Sequence, residues 1–286
     1  MAEGQTNGLK RLEQSKKKLD GIELKKKNLA GIDLSQGSLK EANLIGSNLK
    51  EANFNQAFLN AALLTKCLCE GARFTAIEGI RVNFEKAKLQ KADLSGSNLK
   101  EANFQNASAD ESRFTGAQVR RGIFSGASLT VADFSEANLN KSDLRGTNLD
   151  KAVLDRANLS NCHMARATFL GASLVETQLM ASNASGGNFR KARLEKADFS
   201  EGILTRATLR DANLQNANMQ GANLRGANME NVEITGTNLK GADMTQAQNL
   251  TADSLNRAIL DSTTKLPDYL QISWTSDTEF KVSEKA

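Results

Sequence analysis

An apolar residue recurs at every fifth position from Leu19 to Met244, and this period is the strongest constraint that the chain places on its fold. The one exception is Gly79. An amphipathic helix repeats its apolar positions at spacings of three and four, and a half-buried strand repeats them at two. An unbroken period of five therefore fits neither element, and it predicts a repeat architecture that bends once in every repeat.

Two further columns precede each of these apolar positions, which we call centres. From Gly37 onward the residue two before a centre, the small slot, is Ala, Ser, Gly, Cys or Thr, except at Ile77, Val82 and Val232. The residue directly before a centre, the ladder position, is often Asn or Asp. Together the columns spell A(N/D)LXX, as in "EANLIGSNLKEANF" and "KADLSGSNLKEANF".

This pattern resembles that of the pentapeptide repeat family, and the closing segment of the chain is similar to that of cyanobacterial members. The resemblance implies an all-β fold, a right-handed four-sided (quadrilateral) parallel β-solenoid with a short C-terminal capping helix. Four five-residue segments to a coil would give about eleven coils, stacked at roughly 4.8 Å. The small slots then share a crowded interior with the centres, so their size is a packing requirement.

The phenylalanine positions provide an internal test of four sides. Wall A denotes the segments centred on residue 24 and every twentieth residue after it, and walls B, C and D start at 29, 34 and 39. Between residues 54 and 134 the Phe centres lie only on A and C: Phe54, Phe74, Phe84, Phe104, Phe114, Phe124 and Phe134. The centres with smaller side chains lie only on B and D: Cys69, Gly79, Ala109 and Val119. Later the order rotates, with Phe169 and Phe189 on B and Phe199 on D. Opposed bulky and small walls would conserve the interior volume.

Two stretches break the rules of the repeat. In "TAIEGIRVNF" Ile77 and Val82 fill small slots on either side of Gly79, so we expect the wall to be distorted there. Near the start, Lys17 and Lys27 occupy small slots, and regular coils should begin near Ile32.

The same pattern divides the chain into four parts. Residues 1–18 are a Lys-rich segment, either flexible or a short helix, and residues 19–249 are the solenoid. Residues 250–268 form a cap, and residues 269–286 form a tail that carries Trp274 and Phe280. The tail either packs back on the solenoid or offers a partner an apolar contact. Because solenoid ends expose ladder edges, a homodimer joined through an end cap is a further prediction.

The cap is expected to contain a helix of about ten residues that lies over the last coil. Thr251 is suited to be its N-cap, and Leu255, Ile259 and Leu260 give it one apolar side. Pro267 lies beyond its expected end.

Few residues are suited to catalysis, and the sequence predicts neither an enzyme nor a cofactor or metal site. His163 lies beside a centre, one coil after Asp143 on the same wall, but a lone surface pair is usually incidental. The three cysteines, Cys67, Cys69 and Cys162, fall on inward positions and are interpreted as packing residues. An interior filled by side chains leaves no evident substrate cavity.

Charge is distributed unevenly over the predicted walls. The chain has a formal net charge of +4. Wall A carries the candidate basic residues Lys66, Lys86, Arg145, Arg166, Arg206 and Arg225, together with Lys25 and Lys26. Weak nucleic-acid binding by this wall is a third hypothesis, but interrupting acids and the lack of an exposed aromatic ladder favour a solvated face.

Some members of the family inhibit DNA gyrase by imitating duplex DNA, which makes topoisomerase inhibition the alternative function. Such mimicry requires a dense negative surface. The net positive charge disfavours it.

Two runs of apolar residues on outward positions favour contact with a partner protein. Phe58, Leu63 and Leu68 occupy three consecutive ladder positions. Leu170, Val175 and Met180 directly follow three consecutive centres. Runs of exposed apolar residues mark interaction surfaces more often than single ones do.

The sequence therefore predicts a non-catalytic protein–protein interaction scaffold, soluble and cytoplasmic, from a bacterium. Its partner is another protein. No stretch is long and apolar enough to span a membrane, and nucleic acid is disfavoured as a ligand.

Overall fold

The computed structural model describes residues 3–276 and 279–285. Its helices are α1 (Glu3–Gln14), a single 3₁₀ turn (Lys16–Lys18) and α2 (Ala252–Leu255). Two strands, β1 (Leu270–Trp274) and β2 (Phe280–Glu284), pair in antiparallel orientation. The chain divides into two compact units, Met1–Asp143 and Leu144–Ala286, which we call the N-terminal and C-terminal units and describe separately.

Parallel bridges between residues twenty apart organise both units. In the N-terminal unit Asn43 bridges to Leu63, and in the C-terminal unit Asn183 bridges to Ile203. Each bridge consists of one ladder residue per segment, with flanking bonds such as that from Leu44 N to Leu63 O, 2.8 Å. Both units are therefore β-solenoids that return to the same ladder after every twenty residues, without long strands.

A tight turn closes each five-residue segment. The amide three residues after a centre donates to the carbonyl of that centre, as Ala52 N does to Leu49 O at 3.0 Å. The residue between them, two after the centre, has a positive φ, +57° at Glu51. This bond together with a positive φ at the third residue defines a type II turn. The amide of Glu51 also donates to Glu70 O at 3.0 Å, so the turn residues form a second ladder.

The centres fill the interior of each unit, and phenylalanines dominate that of the N-terminal unit. Phe54 stacks on Phe74 with ring centroids 5.0 Å apart, and Phe84 stacks on Phe104 at 5.1 Å. The two stacks meet edge to face, with the ring centroids of Phe74 and Phe84 5.3 Å apart. This contact confirms that the phenylalanines of walls A and C face each other.

The C-terminal unit repeats this arrangement on the other pair of walls. Phe169 and Phe189 stack at 4.7 Å, and Phe189 meets Phe199 edge to face at 5.7 Å. All three side chains are fully buried. The rotation of the bulky centres that the sequence predicted is therefore present in the core.

The distortion that we expected near Gly79 is confined to one turn, where Ile77 N donates to Ser97 Oγ at 3.1 Å and not to Phe74 O. The ladder runs through this segment, with Gly79 N donating to Asn98 O at 2.8 Å. Ile77 and Val82 are fully buried. A Cβ added to Gly79 would lie 3.2 Å from Ile77 Cδ1 and 3.2 Å from Val82 Cγ1. The enlarged small slots thus fill the volume that the missing centre leaves, and the ladder stays continuous.

The N-terminal segment is a short helix, one of the two predicted alternatives. Glu13, at the end of α1, accepts a bond from Asp33 N at 3.0 Å, and Lys16 O accepts one from Ser38 N at 2.7 Å. These bonds cover part of the first ladder edge. The ladder begins at Leu19, the predicted start of the solenoid, and the small slots are closed only from Ile32 onward because Lys17 and Lys27 are exposed.

The C-terminal cap differs from the prediction of a ten-residue helix. Thr251 is the N-cap as predicted, accepting a bond from Ser254 N at 3.2 Å, but α2 has only four residues. The chain then rejoins the ladder, where Ile259 bridges to Asn238 and Lys265 bridges to Asp243. Ile259 is 45% exposed and so does not contribute to an apolar helix face, because ladder pairing competes with helix extension.

The tail packs back on the cap as a β-hairpin. Leu270 of β1 and Val282 of β2 are buried, and the rings of Trp274 and Phe280 lie 5.3 Å apart. Asn256, directly after α2, holds β2 through its side-chain amide. Of the two alternatives for the tail, the structure adopts the packed one.

Candidate functional site

The first apolar group lies on the surface of the N-terminal unit. Phe58 is 43% exposed, whereas Leu63 and Leu68 are half-buried. Each of the three is bridged to a residue in the coil on either side, so the backbone holds them rigidly. Lys40 Nζ lies 5.7 Å from the centroid of the Phe58 ring, within the range of a cation–π contact.

The second apolar group lies on the C-terminal unit. Met180 is 46% exposed, and Leu170 and Val175 are half-buried. Side chains of the preceding coil hold the backbone of Leu170 and Val175 in place. Asp150 accepts from Leu170 N and Asp155 accepts from Val175 N, both at 2.9 Å. The side chains of this group are therefore displayed from an ordered surface.

The basic residues of wall A are partly neutralised in both units. Lys86 pairs with Glu85 at 2.9 Å in the N-terminal unit, and Arg225 pairs with Asp243 at 3.5 Å in the C-terminal unit. In contrast, Lys66, Arg166 and Arg206 have no carboxylate within ion-pair distance among the described residues. Arg145 lies at the start of the C-terminal unit and is not without a partner. Free cations are thus concentrated at a few positions, and the wall is not a continuous basic track.

Arg166 and Arg206 share a shallow groove with Arg225 in the C-terminal unit. The groove is also lined by Ser185, Gly186, Thr205, Gly226 and Gln246. The arginines were predicted from the number of charges on wall A. The alternation of glycines with arginines in the turn column is the sequence signal that indicates the groove.

The remaining candidates for chemistry are three cysteines and one histidine. Cys67, Cys69 and Cys162 are buried free thiols, as the inward positions predicted. Burial raises the pKa of the Cys69 thiol well above its ordinary value, which makes it a poor nucleophile. His163 is exposed, and its backbone bridges to Asn183.

The described part of the chain contains no metal-ligating cluster and no membrane-spanning helix. No group of three or more His, Cys, Asp and Glu side chains within residues 3–276 and 279–285 is arranged to hold a metal ion. None of the helices in the same ranges has the length and apolarity needed to cross a bilayer.

Two exposed apolar ladder residues were not predicted as contact residues. Ile123 of the N-terminal unit and Ile203 of the C-terminal unit are 39% and 40% exposed. The rule that selected Phe58, an apolar residue where Asn or Asp is usual, also applies to them. The prediction required runs of consecutive apolar residues, and neither isoleucine lies in such a run.

These features define the class of the protein: a β-solenoid repeat protein whose described interior is filled by side chains. Sequence profiles of pentapeptide repeats match residues 28–65, 147–183, 172–211 and 207–246, and a profile of the pentapeptide repeat region matches 77–154. The chain belongs to the pentapeptide repeat family. Comparison with curated proteins gives no match.

Solved structures of other pentapeptide repeat proteins are similar to this chain over varying lengths. HetL, involved in heterocyst differentiation regulation in the cyanobacterium Nostoc sp. strain PCC 7120, is 26% identical, with 85% of this chain and 96% of HetL covered and a TM-score of 0.43. A trypsin-treated form of QnrB1, a plasmid-mediated fluoroquinolone resistance protein, is 19% identical, with coverages of 67% and 90% and a TM-score of 0.42. A protein from the Arabidopsis thaliana thylakoid lumen is 31% identical, with coverages of 40% and 72% and a TM-score of 0.22.

Proposed function

We propose that this chain is a non-catalytic scaffold that binds another protein through the outer surface of right-handed, four-sided coils. The division of each twenty-residue step into four five-residue segments supports four sides. At that step the repeats from Leu19 to Met244 would form about eleven coils with a rise of roughly 4.8 Å each.

The observation that carries the proposal is the exposure of Phe58 on a ladder position. Most ladder positions hold polar side chains, and several of these bond to the coil below, as Asn53 Nδ2 does to Asp33 Oδ1 at 3.1 Å. Phe58 forgoes such a bond and leaves 43% of its surface in water. Burying this apolar surface against a partner would be favourable by about 25 cal/mol per Å². Leu63 and Leu68 extend the surface around the adjoining walls.

The proposal includes a cytoplasmic location in a bacterial cell of cyanobacterial type. Three free thiols support a reducing compartment, because Cys67 and Cys69 are close in sequence and are not joined.

Two other functions have weaker support. Inhibition of a DNA topoisomerase by mimicry requires a dense negative surface, whereas the chain has a formal net charge of +4. Binding of nucleic acid along wall A requires consecutive free cations, but Lys86 and Arg225 are paired with acids. A gyrase supercoiling assay tests the first alternative, and inhibition by the purified chain would favour it over a scaffold.

Affinity capture followed by binding measurements with the purified partner tests the scaffold. We expect Phe58→Asn, Leu63→Asn and Leu68→Asn together to weaken binding by about tenfold or more, since contact residues carry most of the energy of an interface. Ile123→Asn is the matched control, because Ile123 is also an exposed ladder residue of the N-terminal unit. Equal binding by the triple variant, the control and the unmodified chain would exclude this surface as the interface.

A further inference from the structure

The groove on wall A of the C-terminal unit has a repeating construction. Its turn column reads Arg166, Gly186, Arg206, Gly226 and Gln246, one residue from each successive coil. Beside this column lie Ser185 and Thr205, and the volume of the groove is about 520 Å³. Small residues thus form the floor of the groove, and the arginines lie on alternate coils.

Each arginine stem lies over the glycine of the next coil. A Cβ added to Gly186 would lie 3.8 Å from Arg166 Cγ, and one added to Gly226 would lie 3.5 Å from Arg206 Cγ. Both stems therefore run along the ladder in the same direction. Since the arginines are two coils apart, equivalent atoms of the two side chains are separated by roughly 10 Å.

The charge of the groove is not balanced. Arg166 and Arg206 are exposed and have no carboxylate within ion-pair distance in the described ranges. The nearby carboxylate of Asp243 is already engaged by Arg225 at 3.5 Å and by Lys265 at 3.7 Å. Two free guanidinium groups thus face solvent across a floor without acidic side chains, which favours an anionic ligand.

Hydrogen-bonding groups on the floor supplement this charge. The hydroxyl of Thr205 and the side-chain amide of Gln246 have no hydrogen-bond partner among the residues that the structure describes. The Ser185 hydroxyl donates to Asn183 Oδ1 at 2.7 Å, so it is held in place. Thr205 and Gln246 therefore supply neutral donors next to the two arginines.

We propose that this groove binds a short linear oligophosphate, either free or as the phosphate chain of a nucleotide. Guanidinium groups bind phosphate oxygens through paired, charge-assisted hydrogen bonds. Each glycine leaves room for the arginine stem of the preceding coil to lie along the floor. A ligand with several linked anionic groups spans both arginines, whereas a single phosphate contacts only one. Duplex DNA is a poorer fit, because it presents one charge per roughly 1.7 Å of its axis to only two free cations.

Isothermal titration of the full chain with tripolyphosphate at low ionic strength tests the proposal. We expect saturable binding with one site per chain. Arg166→Gln combined with Arg206→Gln should weaken it by about tenfold or more, because two charge-assisted contacts are lost. Since both arginines are exposed, the variant is expected to fold, and circular dichroism with thermal unfolding checks this.

Lys151→Gln combined with Lys191→Gln is the matched control. These lysines occupy the same turn column on wall B, two coils apart with Gly171 between them, so the change in net charge and the spacing are identical. We expect this variant to bind tripolyphosphate like the unmodified chain. Equal weakening by both double variants would show that only overall charge matters and would overturn the proposal.

Titration with other ligands distinguishes a free oligophosphate from the phosphate chain of a nucleotide. Equal affinity for tripolyphosphate and ATP indicates recognition of the phosphate chain alone, and tighter binding of ATP indicates a nucleotide; both outcomes support the site. Absence of tripolyphosphate binding at millimolar concentration overturns it. So does preferential binding of a duplex oligonucleotide or an acidic peptide that is abolished by the arginine variant.

Discussion

The side chain of Asn256 pairs with the backbone of Val282 as a neighbouring strand would. Its Nδ2 donates to Val282 O at 3.1 Å, and its Oδ1 accepts from Val282 N at 2.7 Å. One amide thereby joins the C-terminal hairpin to the end of α2 in the C-terminal unit.

Replacing Asn256 by Ala should release the hairpin from the cap. The substitution leaves both backbone groups of β2 without partners, at a cost of about 1–3 kcal/mol. We expect faster proteolysis of the hairpin and altered fluorescence of Trp274, which is the only tryptophan. Gln271→Ala on β1, whose side chain bonds only within the hairpin, is the control. Unaltered proteolysis of the Asn256 variant would show that apolar contacts alone hold the hairpin.

Filling the empty centre at Gly79 should destabilise the N-terminal unit. In Gly79→Leu the added side chain meets Ile77 and Val82, and overpacking of this kind costs about 1–3 kcal/mol. A Cβ alone would already lie 3.1 Å from Leu99 Cδ2. Denaturant titration measures the loss.

The same segment offers a rescue. Ile77→Ala and Val82→Ala added to Gly79→Leu restore the usual order of small slots and a large centre, so the triple variant should recover most of the lost stability. Ile77→Ala with Val82→Ala alone should be strongly destabilised, because a cavity remains. Additive effects of the three substitutions would contradict the volume exchange.

Replacing Val131 by a residue that tolerates a left-handed backbone should raise the stability of the chain. Its φ is +61°, which is unfavourable for a β-branched side chain, and its side chain is 50% exposed. We expect Val131→Asn to stabilise the chain by about 1 kcal/mol, measured by thermal unfolding. Val131→Thr keeps the branched Cβ and should give no gain. A similar gain from both substitutions would point to loss of apolar exposure as the cause.

Asp261 should make the end of the C-terminal unit sensitive to acid. Its Oδ1 accepts from the Thr263 hydroxyl at 2.7 Å, from Thr263 N at 3.0 Å and from Gly241 N at 3.1 Å. The bond from the Thr263 side chain is the main cause that lowers the pKa of Asp261 below its ordinary value of 3.8. Because the folded pKa is lowered, the stabilisation is complete above the ordinary value and is lost as the pH falls through the folded pKa.

Thermal unfolding between pH 6 and pH 3 checks this relationship against Asp261→Asn. The amide accepts more weakly and does not titrate in this range, so the unmodified chain should melt higher at pH 6, and the difference should shrink toward about pH 3. A difference that does not change with pH would assign the effect to packing. Asp253→Asn, which removes only an exposed pair with Arg257, is the control.

The ladder and the core follow from the sequence because each column of the repeat has one physical requirement. The five-residue period located the buried centres, and the spacing of Phe74 and Phe84 placed them on facing walls. The distortion at Gly79 is smaller than predicted, because the interior conserves volume across neighbouring columns, whereas the prediction treated each column alone.

The ends and the groove were harder to predict, because they depend on contacts between coils. Ile259 has the spacing of an apolar helix face, yet pairing with Asn238 takes precedence. The charge on wall A could be counted from the sequence. Which arginines remain free depends on where acids such as Asp243 lie in the folded unit.

The turn at each segment has a consequence for how such a chain can diversify. Lys, Glu, Arg, Asn and Gly all adopt the positive φ of the turn column in this protein, so that position accepts nearly any charge without altering the backbone. Centres and small slots specify the architecture, while the turn and ladder positions remain open to substitution. New binding specificities can therefore arise by point mutation on an unchanged frame, with no need for inserted loops.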